Sequence, residues 1–257
     1  MLMAVRTRVL VVSLQGALDR RERFVARASE NIISFEFFDA CSGLIPALNY
    51  EPSVALKEHG RALQDGELGC YSSHYSIWEQ LLSDKEYDQY IVLEDDIIAD
   101  WRRLKQIAEF PFAEAGLHYV RLYQKSPARF IVLERQFINR DLKLIRLLDS
   151  AYGTQGYLIT RAGARAFLDG CRQVRRPIDD EMDRWWAHGI PNLALFPFPL
   201  LEEAVGSEIG VVRFDARDSR ATPHAHRTFR RRERLTRRFA IYRLLLYDLA
   251  MRLASRR

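Results

Sequence analysis

Cysteine is scarce in this chain. Cys41, Cys70 and Cys171 lie far apart, form no CxxC pair and are odd in number. That argues against a disulfide framework and for a reducing compartment. No apolar run is long enough to span a bilayer. Arg6 and Arg8 precede Val9-Leu10-Val11-Val12, but this run is short and soon meets Asp19-Arg20-Arg21-Glu22-Arg23. With no convincing small-residue cleavage pattern, it reads as a first buried strand and not a leader. Internal repeats and low-complexity linkers are also missing ahead of the last thirty residues. Lysine is absent from 227–257, which hold eleven arginines against Glu233 and Asp248, a net +9 within a chain of net +5. The body, 1–226, is therefore mildly acidic, and contact with an anionic surface belongs to the tail.

What remains is ordinary soluble composition, 48% hydrophobic and 28% charged over 257 residues, enough for one large α/β domain or two small ones with a real core. The stretch with most chemistry in it is Tyr90-Ile91-Val92-Leu93-Glu94-Asp95-Asp96. Continuous apolarity bounded by polar residues suits a strand covered on both faces. Its carboxyl end, where open α/β sheets place their ligands, then carries three adjacent acids. Like charges so close need a cation or several donors nearby, and hard oxygen ligands favour Mg²⁺ or Mn²⁺. A solvated acidic turn is the bland alternative.

Strand and helix signals alternate along the chain. Strands are expected at 8–14, 34–38, 90–93, 117–122, 130–133, 156–159 and 192–196. Helices are expected over 19–30 with Asp19 as N-cap, in the later part of 65–82, over 101–110, after Thr160, and from Pro177 through Trp185 and Trp186. Residues 42–64 read as an irregular excursion, and 142–148 fit either a strand or a helical turn. The alternation predicts a mainly parallel, doubly wound sheet. In the tail, Leu235, Phe239, Tyr242, Leu246, Leu249 and Leu253 recur at steps of four and three, the stripe of an amphipathic helix. Such a helix could lie on an anionic leaflet through 229–257, or pack on the body or a second subunit. Nucleic acid is a poorer partner, because no stacking aromatics interleave the arginines.

Several motifs fall in one order: Asp19-Arg20-Arg21-Glu22 after the first strand, Phe35-Glu36-Phe37-Phe38-Asp39-Ala40, Gly66-Glu67-Leu68-Gly69-Cys70-Tyr71-Ser72-Ser73-His74, Leu93-Glu94-Asp95-Asp96, Gly153-Thr154-Gln155-Gly156-Tyr157-Leu158-Ile159-Thr160 and Pro177-Ile178-Asp179-Asp180. Over residues 8 to 210 the set resembles glycosyltransferase family 25, which holds bacterial lipooligosaccharide galactosyltransferases and is similar to collagen galactosyltransferase modules. The resemblance implies a GT-A fold over 1–226 with a basic helical tail at 227–257. It also implies transfer from a nucleotide sugar, usually UDP-galactose, with inversion and with Mn²⁺ or Mg²⁺. A glycolipid acceptor would place the enzyme in the cytoplasm, peripheral on the inner membrane face. A non-catalytic scaffold that binds membrane or a partner through the tail is the alternative.

On that pattern the metal falls to Glu94 and Asp96. His224, or its neighbour His226, is the candidate third ligand from a late segment, with two exposed histidines in a polar linker as the alternative. Donor contacts fall to Leu14, Arg20, Gly69, Ser73, Asp95, Thr154, Gln155 and Gly156. Asp179 or Asp180 is the candidate general base, although a helix start there would also use one of them as a cap. His74 reads as structural. The family usually ends its first strand with Asn, Leu, Asp, Arg, whereas Ser13, Leu14, Gln15 and Gly16 stand here. Contacts made by those family side chains are lost or rebuilt in this chain.

Overall fold

A computed structural model describes residues 4–28, 33–203 and 224–254, with side chains in the last segment described for 225–246. In chain order the elements are β1 (Thr7–Ser13), α1 (Leu18–Arg27), β2 (Glu36–Asp39), β3 (Asn49–Tyr50), α2 (Pro52–Glu58), α3 (Asp65–Ser83), β4 (Gln89–Glu94), β5 (Ile97–Ala99) and α4 (Trp101–Ala108). They continue with β6 (Tyr119–Arg121), β7 (Phe130–Glu134), β8 (Lys143–Leu147), β9 (Gly156–Thr160), α5 (Arg161–Cys171), β10 (Gln173–Val174), α6 (Ile178–Met182), α7 (Trp185–His188), β11 (Leu193–Phe196), β12 (Leu200–Glu202) and α8 (His224–Ala254).

Eight strands form one sheet in the order β2-β1-β4-β9-β6-β11-β8-β7. The apolar runs seen in sequence are strands buried on both faces. Leu10, Val12, Tyr90, Val92, Tyr157 and Ile159 point into a core shared with α3 and α5, around Trp78 and Phe167. Val9, Val11, Ile91, Leu93 and Leu158 point into the opposite core, with Phe24 of α1 and Leu104 and Ile107 of α4. Alternate residues feeding two cores explain why these strands show no polar face.

The sheet is mixed: six of its eight strands share one direction, as expected of a mainly parallel sheet, and β9 and β8 run against them. β2, β1 and β4 run parallel, as do β6 and β11, but β9 runs antiparallel between β4 and β6, and β8 runs antiparallel between β11 and β7. Apolar runs carry no direction, so sequence pattern alone left β9 unassigned. Its direction matters. The amino end of β9 lies beside the carboxyl end of β4, with Leu93 opposite Gly156 and the Glu94 N–H bonded to the Gln155 carbonyl (3.1 Å).

Other differences are local. α1 begins at Leu18 with Ala17 as its N-cap, so Asp19 sits in the first turn. α3 spans its whole segment because Gln64 and Glu67 form a reciprocal capping box ahead of the glycines. The excursion 42–64 contains α2, opened by Pro52. Trp185 and Trp186 occupy a separate short helix, α7, closed by Gly189 in the left-handed region (φ 77°). No helix of the described residues is long and apolar enough to cross a membrane.

His188, at the end of α7, packs edge-on against Phe167 (4.9 Å between centroids). Its Nε2 donates to the Met182 carbonyl and its Nδ1 accepts the Ile190 N–H (both 3.2 Å), which fixes a neutral tautomer. Burial pulls its pKa down to about 4. The unfolded chain therefore takes a proton near pH 6.5 that the folded chain refuses until about 4, so stability falls as pH drops through that window. His188→Gln is expected to remove roughly 2 kcal/mol of the stability loss between pH 7 and 4.5, read by urea unfolding. Identical pH dependence in the variant would contradict this.

Candidate active site

The carboxyl ends of β1, β2 and β4 and the amino end of β9 meet at one edge of the sheet, and the acids sit there. Pleating and the turn after β4 separate them. Glu94 and Asp96 line a polar cavity of about 160 Å³ together with Arg20, Cys70, Lys125, Thr154 and Asp179. Asp95 turns toward a second, more apolar cavity of about 360 Å³ over β1, walled by Val12, Leu14, Ala40 and Cys41. Leu14, Arg20, Cys70 and Glu94 belong to both, so the two cavities adjoin at Glu94.

Charge in this corner is unbalanced. Arg20 bonds Asp95 and reaches Asp96 at 3.9 Å. Glu94 accepts the Thr154 hydroxyl and lies 3.9 Å from His74 Nε2. Burial first, and then the neighbouring Asp96, push Glu94 up to about 8, while burial also raises Asp96 against the pull of Arg20. The buried Oδ1 of Asp96, Oε1 of Gln155 and Nε2 of His74 have no hydrogen-bond partner. Hard carboxylate oxygens held in excess of cationic charge fit a divalent ion.

Among the described residues, a second donor set also converges. One ligand atom each from Cys70, His74 and Glu94 lie within 4.8 Å of one another. The side chain of His224 lies outside the described residues. His74 itself is wholly buried, bonds Tyr157 OH through Nδ1 (2.9 Å), and is pulled down to about 4 by burial. Burial thus favours the neutral ring, with Nδ1 committed to Tyr157 and Nε2 left toward Glu94.

The loop ahead of β9 closes the polar cavity. Tyr152 and Gly153 are both left-handed (φ 53° and 79°), a conformation that costs Tyr152 on the order of 1 kcal/mol or more. Buried charges hold it. Asp183 accepts the Tyr152 N–H (2.8 Å), and Arg121 donates to the carbonyls of Tyr152 (3.1 Å) and Gly153 (2.8 Å). Arg121 and Asp183 pair at 2.8 Å, each about 1% exposed, and Asn192 donates to Asp183 (2.7 Å). The Gly153 N–H in turn donates to Asp179 (3.1 Å), whose other oxygen takes the Asp180 N–H (3.0 Å).

The site residues expected from sequence therefore divide. Leu14, Arg20, Glu94, Asp95, Asp96, Thr154, Gln155 and Asp179 line one or both cavities, and Ser73 lines the larger. Ser73 is also structural: it bonds the Gly69 carbonyl (2.7 Å) and the Cys41 N–H (2.8 Å). Gly69 and Gly156 line neither cavity. A Cβ on Gly69 would fall 2.4 Å from the Cys41 carbonyl, and one on Gly156 would fall 2.0 Å from a Leu200 methyl, so both serve packing inside the protein. Asp180 points away into a cluster with Arg176 (3.8 Å) and His59 (3.9 Å), and burial pushes it up to about 7. Lys125 and Glu202, paired at 3.1 Å on the cavity wall, had no motif to announce them.

The model for glycosyltransferase family 25 (LPS biosynthesis protein) matches residues 6–182, which include Glu94, Asp95, Asp96, Asp179 and Asp180. The chain belongs to glycosyltransferase family 25. Its relatives include the lacto-N-neotetraose biosynthesis glycosyltransferase LgtE of Neisseria gonorrhoeae, 32% identical over 62% of this chain and 59% of that protein. Procollagen galactosyltransferase 1-B of Xenopus laevis is 31% identical over 63% of this chain and 28% of its own length. The probable inactive glycosyltransferase 25 family member 3 of Bos taurus is 32% identical over 67% and 30%. The match thus spans under a third of the two animal proteins.

Removing the cation from the buried pair tests what holds the site's loop. Arg121→Met strands Asp183 without its partner and is expected to cost roughly 3–5 kcal/mol in urea unfolding. A cost below about 1 kcal/mol would show that Asp183 is not held as a charge.

Proposed function

We propose that this family 25 chain is an inverting, metal-dependent glycosyltransferase of GT-A type. It moves a sugar, in our reading galactose from UDP-galactose, to a hydroxyl of a lipopolysaccharide or lipooligosaccharide core. The observation that carries the proposal is the junction of two unlike cavities at Glu94. The larger, more apolar one suits a nucleoside lying across the strand ends. The smaller, with carboxylates, Arg20 and Lys125, suits the diphosphate and the sugar.

Glu94 and Asp96 would hold a divalent ion, which supplies Lewis-acid stabilisation of the diphosphate's growing charge. Asp95, buried against Arg20, is free of that duty and faces the nucleoside side. Lys125 and Arg20 add fixed cations to the leaving group's surroundings. The acceptor oxygen bonds to the anomeric carbon as the bond to the diphosphate oxygen breaks, and the hydroxyl proton passes to Asp179. Asp179 rather than Asp180 takes this role because only Asp179 lines the cavity. Its two backbone donors aim it there and explain why a carboxylate sits in the first turn of α6.

LgtE's role in lacto-N-neotetraose biosynthesis supports a saccharide acceptor, and the procollagen relatives support galactose as donor. The inactive relative gives weight to a scaffold reading, against which stand Glu94, Asp96 and Asp179 lining one cavity. Screening purified protein against nucleotide sugars is expected to show UDP release from one UDP-hexose that EDTA abolishes and Mn²⁺ restores. Asp179→Asn should then lower the transfer rate by about 10²–10⁴-fold, and Asp180→Asn by less than about tenfold. Release that survives EDTA, or a silent Asp179→Asn, would overturn the assignment.

A further inference from the structure

The two long faces of α8 do different work. Phe229, Glu233, Arg237, Ala240 and Leu244 are half-buried against the body. Glu233 accepts from Arg176 (3.0 Å) and Arg184 (2.7 Å), while Arg237 pairs with Asp149 (2.5 Å) and lies over the Trp186 ring. The helix is thus fastened through its charged face. That leaves the apolar stripe outward: Leu235 is 47% exposed, Phe239 68%, Tyr242 64% and Leu246 65%.

At 100° per residue those four side chains fall within a sector of about 60°. The exposed Arg231, Arg232, Arg238 and Arg243 fall about 50–70° to either side of its centre, two on each flank. Packing on the body does not explain the stripe, because another face makes that contact. A second copy of the chain is a poor cover, since a two-fold contact would set these arginines against their own counterparts. An apolar ridge between two rows of arginine matches one surface, an acyl boundary beneath anionic headgroups.

We propose that α8 lies flat on bilayers rich in anionic phospholipid. Leu235, Phe239, Tyr242 and Leu246 dip below the headgroups, and Arg231, Arg232, Arg238 and Arg243 meet the lipid phosphates. The clamp through Glu233 and Arg237 then holds the transferase body at a fixed attitude to that surface. The proposal uses no residue of the active site, so it stands or falls apart from the transferase reading.

Full-length protein is expected to sediment with phosphatidylglycerol–phosphatidylcholine vesicles at low salt, and to leave them at about 1 M salt or on pure phosphatidylcholine. Neutralising Arg231, Arg232, Arg238 and Arg243 to Gln should weaken binding by about fivefold per arginine. Phe239→Glu with Leu246→Glu should weaken it at least tenfold while leaving the melting temperature unchanged, because both side chains are about two-thirds exposed. Equal binding to both vesicle types would overturn the proposal. So would variants that bind as the parent does, or a solution dimer that Phe239→Glu dissolves.

Discussion

Glu94 and Asp96 share a small cavity whose cations fall short of its carboxylates, and the rest of the active end is arranged about that imbalance. Burial raises both groups, and among the described residues Arg20 is the cation that stands close to Asp96. Folding tolerates such a site at a cost of several kcal/mol when a function needs the charge. The donors nearby are too few to satisfy it: Asp96 keeps a buried oxygen with no partner, and the Thr154 hydroxyl donates to Glu94. In the proposed reading, Glu94 and Asp96 would hold a divalent ion whose charge offsets the imbalance when the nucleotide binds. In this account binding and charge neutralisation are one event.

The cavity exists because of strand direction. β1, β2 and β4 deliver their carboxyl ends to one edge, and antiparallel β9 begins at that same edge. The loop 152–155 therefore folds over the carboxylates instead of leaving them to solvent. Holding two left-handed residues in that loop requires the buried Arg121–Asp183 pair, which lies behind the cavity wall. The same loop aims Asp179 through the Gly153 N–H. A chain of contacts thus links a buried ion pair to the proposed base.

Much of this was legible in residue order. The apolar run into Glu94-Asp95-Asp96 marked the strand and its rim, and Thr160 marked the start of α5, where its hydroxyl accepts the Gly163 N–H. The motif set carried the family. Direction and distance were not legible. Nothing in Gly156-Tyr157-Leu158-Ile159 says which way the strand runs. Gly69 and Gly156 invited a ligand reading, but the neighbours that need their missing side chains are Cys41 and Leu200. Asp179 and Asp180 are adjacent in sequence and face different surroundings, a split that only the short helix α6 decides. Lys125, Arg121 and Asp183 belong to no local pattern, because their partners lie tens of residues away. In the tail, periodicity gave the stripe but not the fact that the body binds the opposite face.

The central claim is that Glu94 and Asp96 grip one divalent ion together with the nucleotide. The most direct measurement is electron paramagnetic resonance of free Mn²⁺ titrated into the protein with and without UDP. The account requires one ion to be withdrawn per chain when UDP is present, with that withdrawal lost in Glu94→Gln and Asp96→Asn. Undiminished withdrawal in Asp96→Asn, or no effect of UDP, would place the ion elsewhere and contradict it.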